Sequence, residues 1–136
     1  DEDSISYKEF TASDSNDIGS VVQSAIEYAD VIYIPTDNTM AQNTEAINNI
    51  ALPAGVPIIA GEEGICSGCG VATLSISYYD IGYKAGEMAY DILVNGADIT
   101  TMNIEYAPQV TKEYNASIAE QLGVTIPDGY TAIAAE

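Results

Sequence analysis

Val31-Ile32-Tyr33-Ile34 and Val56-Pro57-Ile58-Ile59-Ala60 are two short, continuous apolar runs, and the segment between them decides the fold. Pro35 to Asn38 ends the first run. From Thr39 onward Ala41, Ala46, Ile47, Ile50 and Ala51 recur at helical spacing until Pro53-Ala54-Gly55 stops them. The order is strand, helix, strand. Parallel neighbours need a crossover of about a dozen residues or more, which a helix supplies. An unbroken apolar run such as Val31–Ile34 is the form expected of a strand buried on both faces of a parallel sheet.

The same alternation extends in both directions. Toward the N-terminus, Ser4 to Thr11 carries β-formers on both faces and reads as a strand. Asp14-Ser15-Asn16-Asp17 offers capping side chains before Ile18, Val21, Val22, Ala25, Ile26 and Ala29, a helical stripe. Toward the C-terminus, Gly61 to Gly70 has four glycines and little periodicity, so a loop is expected. Val71 to Ser77 reads as a strand, and Asp80 as the cap of a helix reaching Asn95. On that helix Ile81, Ala85, Met88, Ala89, Ile92 and Leu93 share one face, with Gly96 where a left-handed C-terminal residue is wanted. Met102 to Tyr106 and Val110 to Tyr114 look extended. Asn115 opens a last helix closed by Gly123, and the tail from Pro127 looks irregular. The expectation is one α/β unit over residues 1–136, a mostly parallel sheet flanked by helices on both faces.

Composition narrows the function. The chain has 136 residues, enough for a single core, and no apolar run approaches the roughly 18 residues of a membrane span. Three basic against 21 acidic residues give a formal charge of −18, which repels a polyanion, so no nucleic acid is expected as a partner. The chain opens Asp1-Glu2-Asp3 with no charged-then-apolar leader, so an export signal, if the protein has one, is expected to have been removed or to lie outside these residues. There is no histidine, no phosphate-binding loop ending in lysine and no serine nucleophile elbow, so catalysis has no obvious agent and no cofactor is expected.

In open parallel sheets ligands sit beyond the carboxyl ends of the strands. Thr36-Asp37-Asn38-Thr39 follows the first apolar run and places hydroxyl, carboxylate and amide groups at the start of a helix. There they can hold a zwitterion, or simply cap the helix. Glu62-Glu63 follows the second run and is either ligand-facing or ordinary solvated surface; without a third acid at defined spacing no metal site is expected. Cys66-Ser67-Gly68-Cys69 has the spacing of redox motifs but no helix pattern after it. A local disulfide is the expectation, ahead of free thiols and of a catalytic pair. Tyr78-Tyr79, just before the clearest helix, offers rings for stacking or for packing.

Specific wording now adds to periodicity. Ala29 to Thr39, then Gly55 to Glu63, then Gly70-Val71-Ala72-Thr73-Leu74 running into Tyr78-Tyr79 and Gly82, and finally Leu122 to Pro127, closely resemble the substrate-binding proteins of ABC transporters that carry tryptophan or other aromatic amino acids. The resemblance implies a type 1 periplasmic-binding-protein fold, two α/β lobes joined by crossing strands, of which this chain supplies a partial C-terminal lobe. Residues 1–74 and 108–127 would be lobe material, with Ser4 onward matching that lobe's second strand. Residues 75–107 would hold crossing strands and a helix that packs on the missing N-terminal lobe. It also implies that Thr36, Asp37, Asn38, Thr39, Glu62, Glu63, Ser77, Tyr78 and Tyr79 line the cleft, with Asp37 the partner of a ligand ammonium. Relatives tend to carry an acid where this chain has Ser77 in Ser75-Ile76-Ser77, and the cysteine pair is peculiar to this chain.

The expected function is therefore that of an extracytoplasmic receptor, periplasmic or held at the cell surface as a lipoprotein. It would bind an amino acid or similar small polar ligand and deliver it to an ABC importer permease without catalysing a reaction. The bared face of the helix after Tyr79 is expected to favour a homodimer. The competing classes are the effector domain of a transcription regulator, which a preceding helix-turn-helix would reveal, and a redox protein using Cys66 and Cys69.

Overall fold

The computed structural model describes residues 5–107 and 109–134. Five strands form one sheet in the order β1 (Ile32–Ile34), β2 (Ile58–Ala60), β3 (Ala72–Ile76), β4 (Val110–Tyr114), β5 (Thr131–Ala132). β1, β2 and β3 are parallel, β4 runs antiparallel to β3, and β5 is parallel to β4. The mostly parallel α/β architecture is as the sequence pattern implies.

Six α-helices lie among the described residues, α1 (Ile18–Ile26) before the sheet and, between its strands, α2 (Asn38–Ala41), α3 (Thr44–Ala51), α4 (Glu63–Cys69), α5 (Tyr78–Leu93) and α6 (Ala116–Leu122). The core lies between one sheet face and α1, α3 and α4. Ile18, Val22, Ile34, Ile47, Ala51, Ile58, Ala60, Ile65, Cys66 and Cys69 form its buried cluster. Ile47, Ile58 and Ile65 are excluded from water, and burying each side chain contributes about 1.5–3 kcal/mol before entropy is counted. Val71, Ile118 and Ala119 make a second, smaller cluster under α6.

Several elements differ from the sequence reading. Residues 5–11 form no strand: β structure needs a neighbour to accept its N–H groups, and this segment has none among the described residues. It is tacked down instead by Lys8, whose ammonium lies 4.7 Å from the Phe10 ring and 5.2 Å from the Tyr28 ring. Residues 63–69 are helical and not a loop, because Glu62 caps them and Ile65, Cys66 and Cys69 turn inward. The helix expected from Thr39 is broken into α2 and α3 at Gln42-Asn43. Met102 to Tyr106 makes no ladder, while Thr131-Ala132, in the tail, pairs with β4.

The far sheet face is also barer than expected. Tyr33, Ile59 and Leu74 project from it with 64%, 38% and 55% exposure, so β1 is buried on one side only. The helix reading held better elsewhere. α5 starts at Tyr78, capped by Ser77 and not Asp80, and Gly96 beyond it takes the left-handed conformation at φ 70°. None of its residues is buried. Asn115 caps α6, accepting from the Ile118 N–H at 3.1 Å, and Gly123 ends it at φ 65°.

Gly61 holds the turns after β1 and β2 together. Its N–H donates to the Ile34 carbonyl at 2.8 Å, and a side chain there would meet the Thr36 nitrogen at 2.6 Å and the Pro35 carbonyl carbon at 2.9 Å. Because those neighbours are backbone, they have no rotamer by which to yield. Gly61→Ala should destabilise the fold by about 1–3 kcal/mol, read as a lower urea midpoint at unchanged slope. An unchanged midpoint would show that the two turns separate freely.

Candidate functional site

Three strand-to-helix junctions meet at the carboxyl ends of β1, β2 and β3, and each is closed by a side chain that sequence reading singled out. Asp37, in extended conformation, accepts from the Met40 N–H through Oδ1 at 2.9 Å and starts α2. Glu62 accepts from the Gly64 N–H at 2.9 Å with one oxygen and from the Ile65 N–H with the other, starting α4. Ser77 accepts from the Asp80 N–H at 3.1 Å and starts α5. Each cap answers the same need, since the first N–H groups of a helix have no partner within it.

These junctions form one wall. The Thr36 hydroxyl donates to the Gly61 carbonyl at 3.1 Å, tying the first turn to the second. Thr36, Asp37, Asn38 and Glu63 are exposed along it, with Thr39 and Glu62 half-buried. At the third junction Tyr78 and Tyr79 are 60% and 78% exposed, and Tyr79 stacks on Tyr83 with ring centroids 6.4 Å apart. The structure thus brings the loop residues of all three strands to one end of the sheet. The two carboxylates most prominent in the sequence are there largely occupied as caps.

A fourth acid, beyond Asp37, Glu62 and Glu63, does not stand out in the sequence. Glu113 stands directly opposite Thr73 in the β3–β4 ladder, so the two side chains leave the sheet on the same face. Thr73 is 1% exposed, and neither its Oγ1 nor Glu113 Oε2, both sealed from solvent, has a hydrogen-bond partner among the described residues. Burial raises the Glu113 pKa above the ordinary glutamate value, the Glu63 carboxylate raises it further, and the Ser75 hydroxyl partly offsets both. Local pattern gave no sign of this, because Val110 to Tyr114 reads as solvated strand until its partner strand is known.

The cysteines do not form the expected local disulfide. Both thiols are free and buried, Cys66 Sγ 3.7 Å from the Gly70 carbonyl oxygen and Cys69 Sγ 3.4 Å from that of Ile65. Burial is the main cause pushing both up to about 12; at Cys66 the Asn115 backbone N–H offsets it in part, while Cys69, Glu113 and Glu62 add to it. Both sulfurs sit on the inward face of α4, within the core, so the helix directs them away from solvent. Among the described residues no three His, Cys, Asp or Glu side chains converge as metal ligands, and no helix is long and apolar enough to cross a membrane. A hollow lined by Asn48, Leu52, Ser67, Asn115 and Gln121 lies at the other end of the sheet, away from these junctions.

This chain belongs to the ABC transporter substrate binding protein family, whose model matches residues 1–136. It is 35% identical over 95 residues to a curated tyrosine-binding protein of Clostridioides difficile (strain R20291), covering 67% of this chain and 28% of that protein. Its fold is similar to a conserved domain protein from Vibrio cholerae, with TM-score 0.83, 30% identity and 96% of this chain covered. It is equally similar to a Streptococcus pneumoniae ABC domain solved in complex with L-Trp, with TM-score 0.83, 25% identity and 97% of this chain covered. A ligand-free, open substrate-binding protein with adhesive properties from Clostridium difficile matches with TM-score 0.72, 30% identity and 92% coverage. The chain spans 43% to 46% of the length of these solved proteins.

Two outcomes follow. At about pH 8 a thiol reagent should leave both cysteines unmodified in the native protein and titrate both at once in denaturant; fast native labelling would mean that α4 opens readily. Because the folded-state pKa of Glu113 is raised, the folded state binds the extra proton. Stability from this group is therefore present at low pH and lost as pH rises above the ordinary glutamate value of 4.5. Glu113→Gln should accordingly melt above wild type at neutral pH, with the difference shrinking as the pH is lowered; a constant difference would contradict the shift.

Proposed function

We propose that this chain is one lobe of an extracytoplasmic receptor that binds an amino acid with an aromatic side chain between two lobes and delivers it to an ABC importer permease. The observation carrying the reading is the convergence of the Asp37, Glu62 and Ser77 junctions at one end of a parallel sheet, where ligands of such sheets bind. Family membership supports the receptor role, and the relatives described as tyrosine-binding and as holding L-Trp support the ligand class.

Thr36, Asp37, Asn38, Thr39, Glu62 and Glu63 form this lobe's side of the cleft, and Ser77, Tyr78 and Tyr79 its hinge end. The second lobe is the remainder of a protein about twice this length, in keeping with the share of the solved relatives that this chain covers. The helix α5, with no buried residue, is the element that lobe covers. In a protein prepared without that lobe the same face would drive a homodimer. The receptor binds and releases its ligand unchanged, the importer's ATPase supplying the energy. Export and attachment at the cell surface as a lipoprotein, or residence in the periplasm, place it where solutes arrive.

Calorimetric titration of the two-lobed protein with L-tyrosine, L-tryptophan, a nucleoside and a hexose decides the matter. Binding of an aromatic amino acid in the micromolar range or tighter, with negligible heat from the nucleoside and the sugar, is the expected result. Binding of the sugar or nucleoside alone would overturn the ligand class and leave the receptor role standing.

A further inference from the structure

We propose that Glu113, backed by the hydroxyls of Thr73 and Ser75, is the anchor for the ligand's ammonium group at the floor of the cleft. The inference rests on the receptor reading above and assigns a group that the strand-end loops do not supply. Among the wall carboxylates, Glu62 has both oxygens committed to α4 and Asp37 has Oδ1 committed to α2. An acid that already neutralises helix N–H groups has less charge to offer a ligand.

Glu113 is differently placed. It lies level with Thr73, early in β3, and with Ala60, the last residue of β2, from which the Glu62 turn departs, and it is only half-buried. Its inner oxygen Oε2 is sealed and unpartnered, and the Thr73 hydroxyl on the same face is equally sealed and unpartnered. Directly opposed residues on neighbouring strands have Cβ atoms about 5 Å apart, which puts the Thr73 hydroxyl within reach of the Glu113 carboxyl group. Ser75, 5% exposed, follows on the same strand face.

Two buried polar atoms left without partners are costly, and a cost kept in a folded protein calls for a state that relieves it. An ammonium arriving at the outer oxygen Oε1 supplies that state. It holds Glu113 as the carboxylate, which then accepts from Thr73 on the inner side, and it neutralises the repulsion between Glu113 and Glu63. A cation is the charge this site can take, because the charged side chain acting on Glu113 is another acid, Glu63, and the nearby Cys66 thiol is neutral.

The test uses the two-lobed protein and four probes: L-tyrosine, L-tryptophan, and the same skeletons without the amino group, 3-(4-hydroxyphenyl)propionate and indole-3-propionate. Wild type should prefer the amino acids by about tenfold or more, and Glu113→Gln should lose most of that preference by weakening the amino acids alone. Thr73→Val, which keeps the side chain's shape, should weaken the amino acids severalfold, and it carries the test if Glu113→Gln does not fold. A preference unchanged in both variants, or an equal loss for all four probes, would overturn the assignment. Failure of wild type to bind any probe would overturn the amino-acid reading and this inference with it, whereas amino-acid binding unaffected at Glu113 would overturn only the inference.

Discussion

The unmet N–H groups at the starts of α2, α4 and α5 are the constraint on which the rest of this structure depends. Each strand of the parallel set must turn into a helix within a few residues, and each turn leaves backbone donors that water or a side chain has to satisfy. Asp37, Glu62 and Ser77 do this from within the chain, which fixes where the helices begin at this end of the sheet. Gly61 then lets the first two turns lie side by side, an approach that a single added carbon would block.

The same economy shapes the electrostatics. A chain with 21 acids and three bases has few internal cations to pair, and one ion pair, Lys84 with Glu87 at 3.7 Å, occurs among the described residues. Carboxylates at helix starts are stabilised by N–H groups in place of cations. Glu113 has no helix N–H groups to support it: around it are the Thr73 and Ser75 hydroxyls, the Cys66 thiol and the Glu63 carboxylate. The paired strands hold this unneutralised acid in register.

Legibility in the sequence followed the range of the interactions. The strands at Ile32, Ile58 and Ala72, the α5 helix with its Gly96 terminator and the Asn115 cap of α6 were all readable, because each depends on residues within about four positions. The glycines at 61, 64, 68 and 70 mask the short apolar stripe of α4, so that its sequence reads as a loop and Glu62 does not stand out as a cap. Gly68 in that stripe marks close contact with Thr44, and a side chain there would fall 2.2 Å from the Thr44 hydroxyl oxygen. The cysteine spacing suggested a disulfide only because the helix that points both sulfurs into the core had been overlooked.

By itself the sequence determined most of the alternation of strands and helices, the caps at Asp37 and Asn115 and the acidic character of the chain, since these arise from the residues of each local stretch. Only the tertiary structure decided that residues 5–11 stay unpaired, that Thr131-Ala132 joins the sheet, that Tyr33, Ile59 and Leu74 face outward and that Glu113 meets Thr73. The physical reason is that a β-strand's partners and its buried face are chosen by chain segments far away in sequence, and local periodicity carries no record of them.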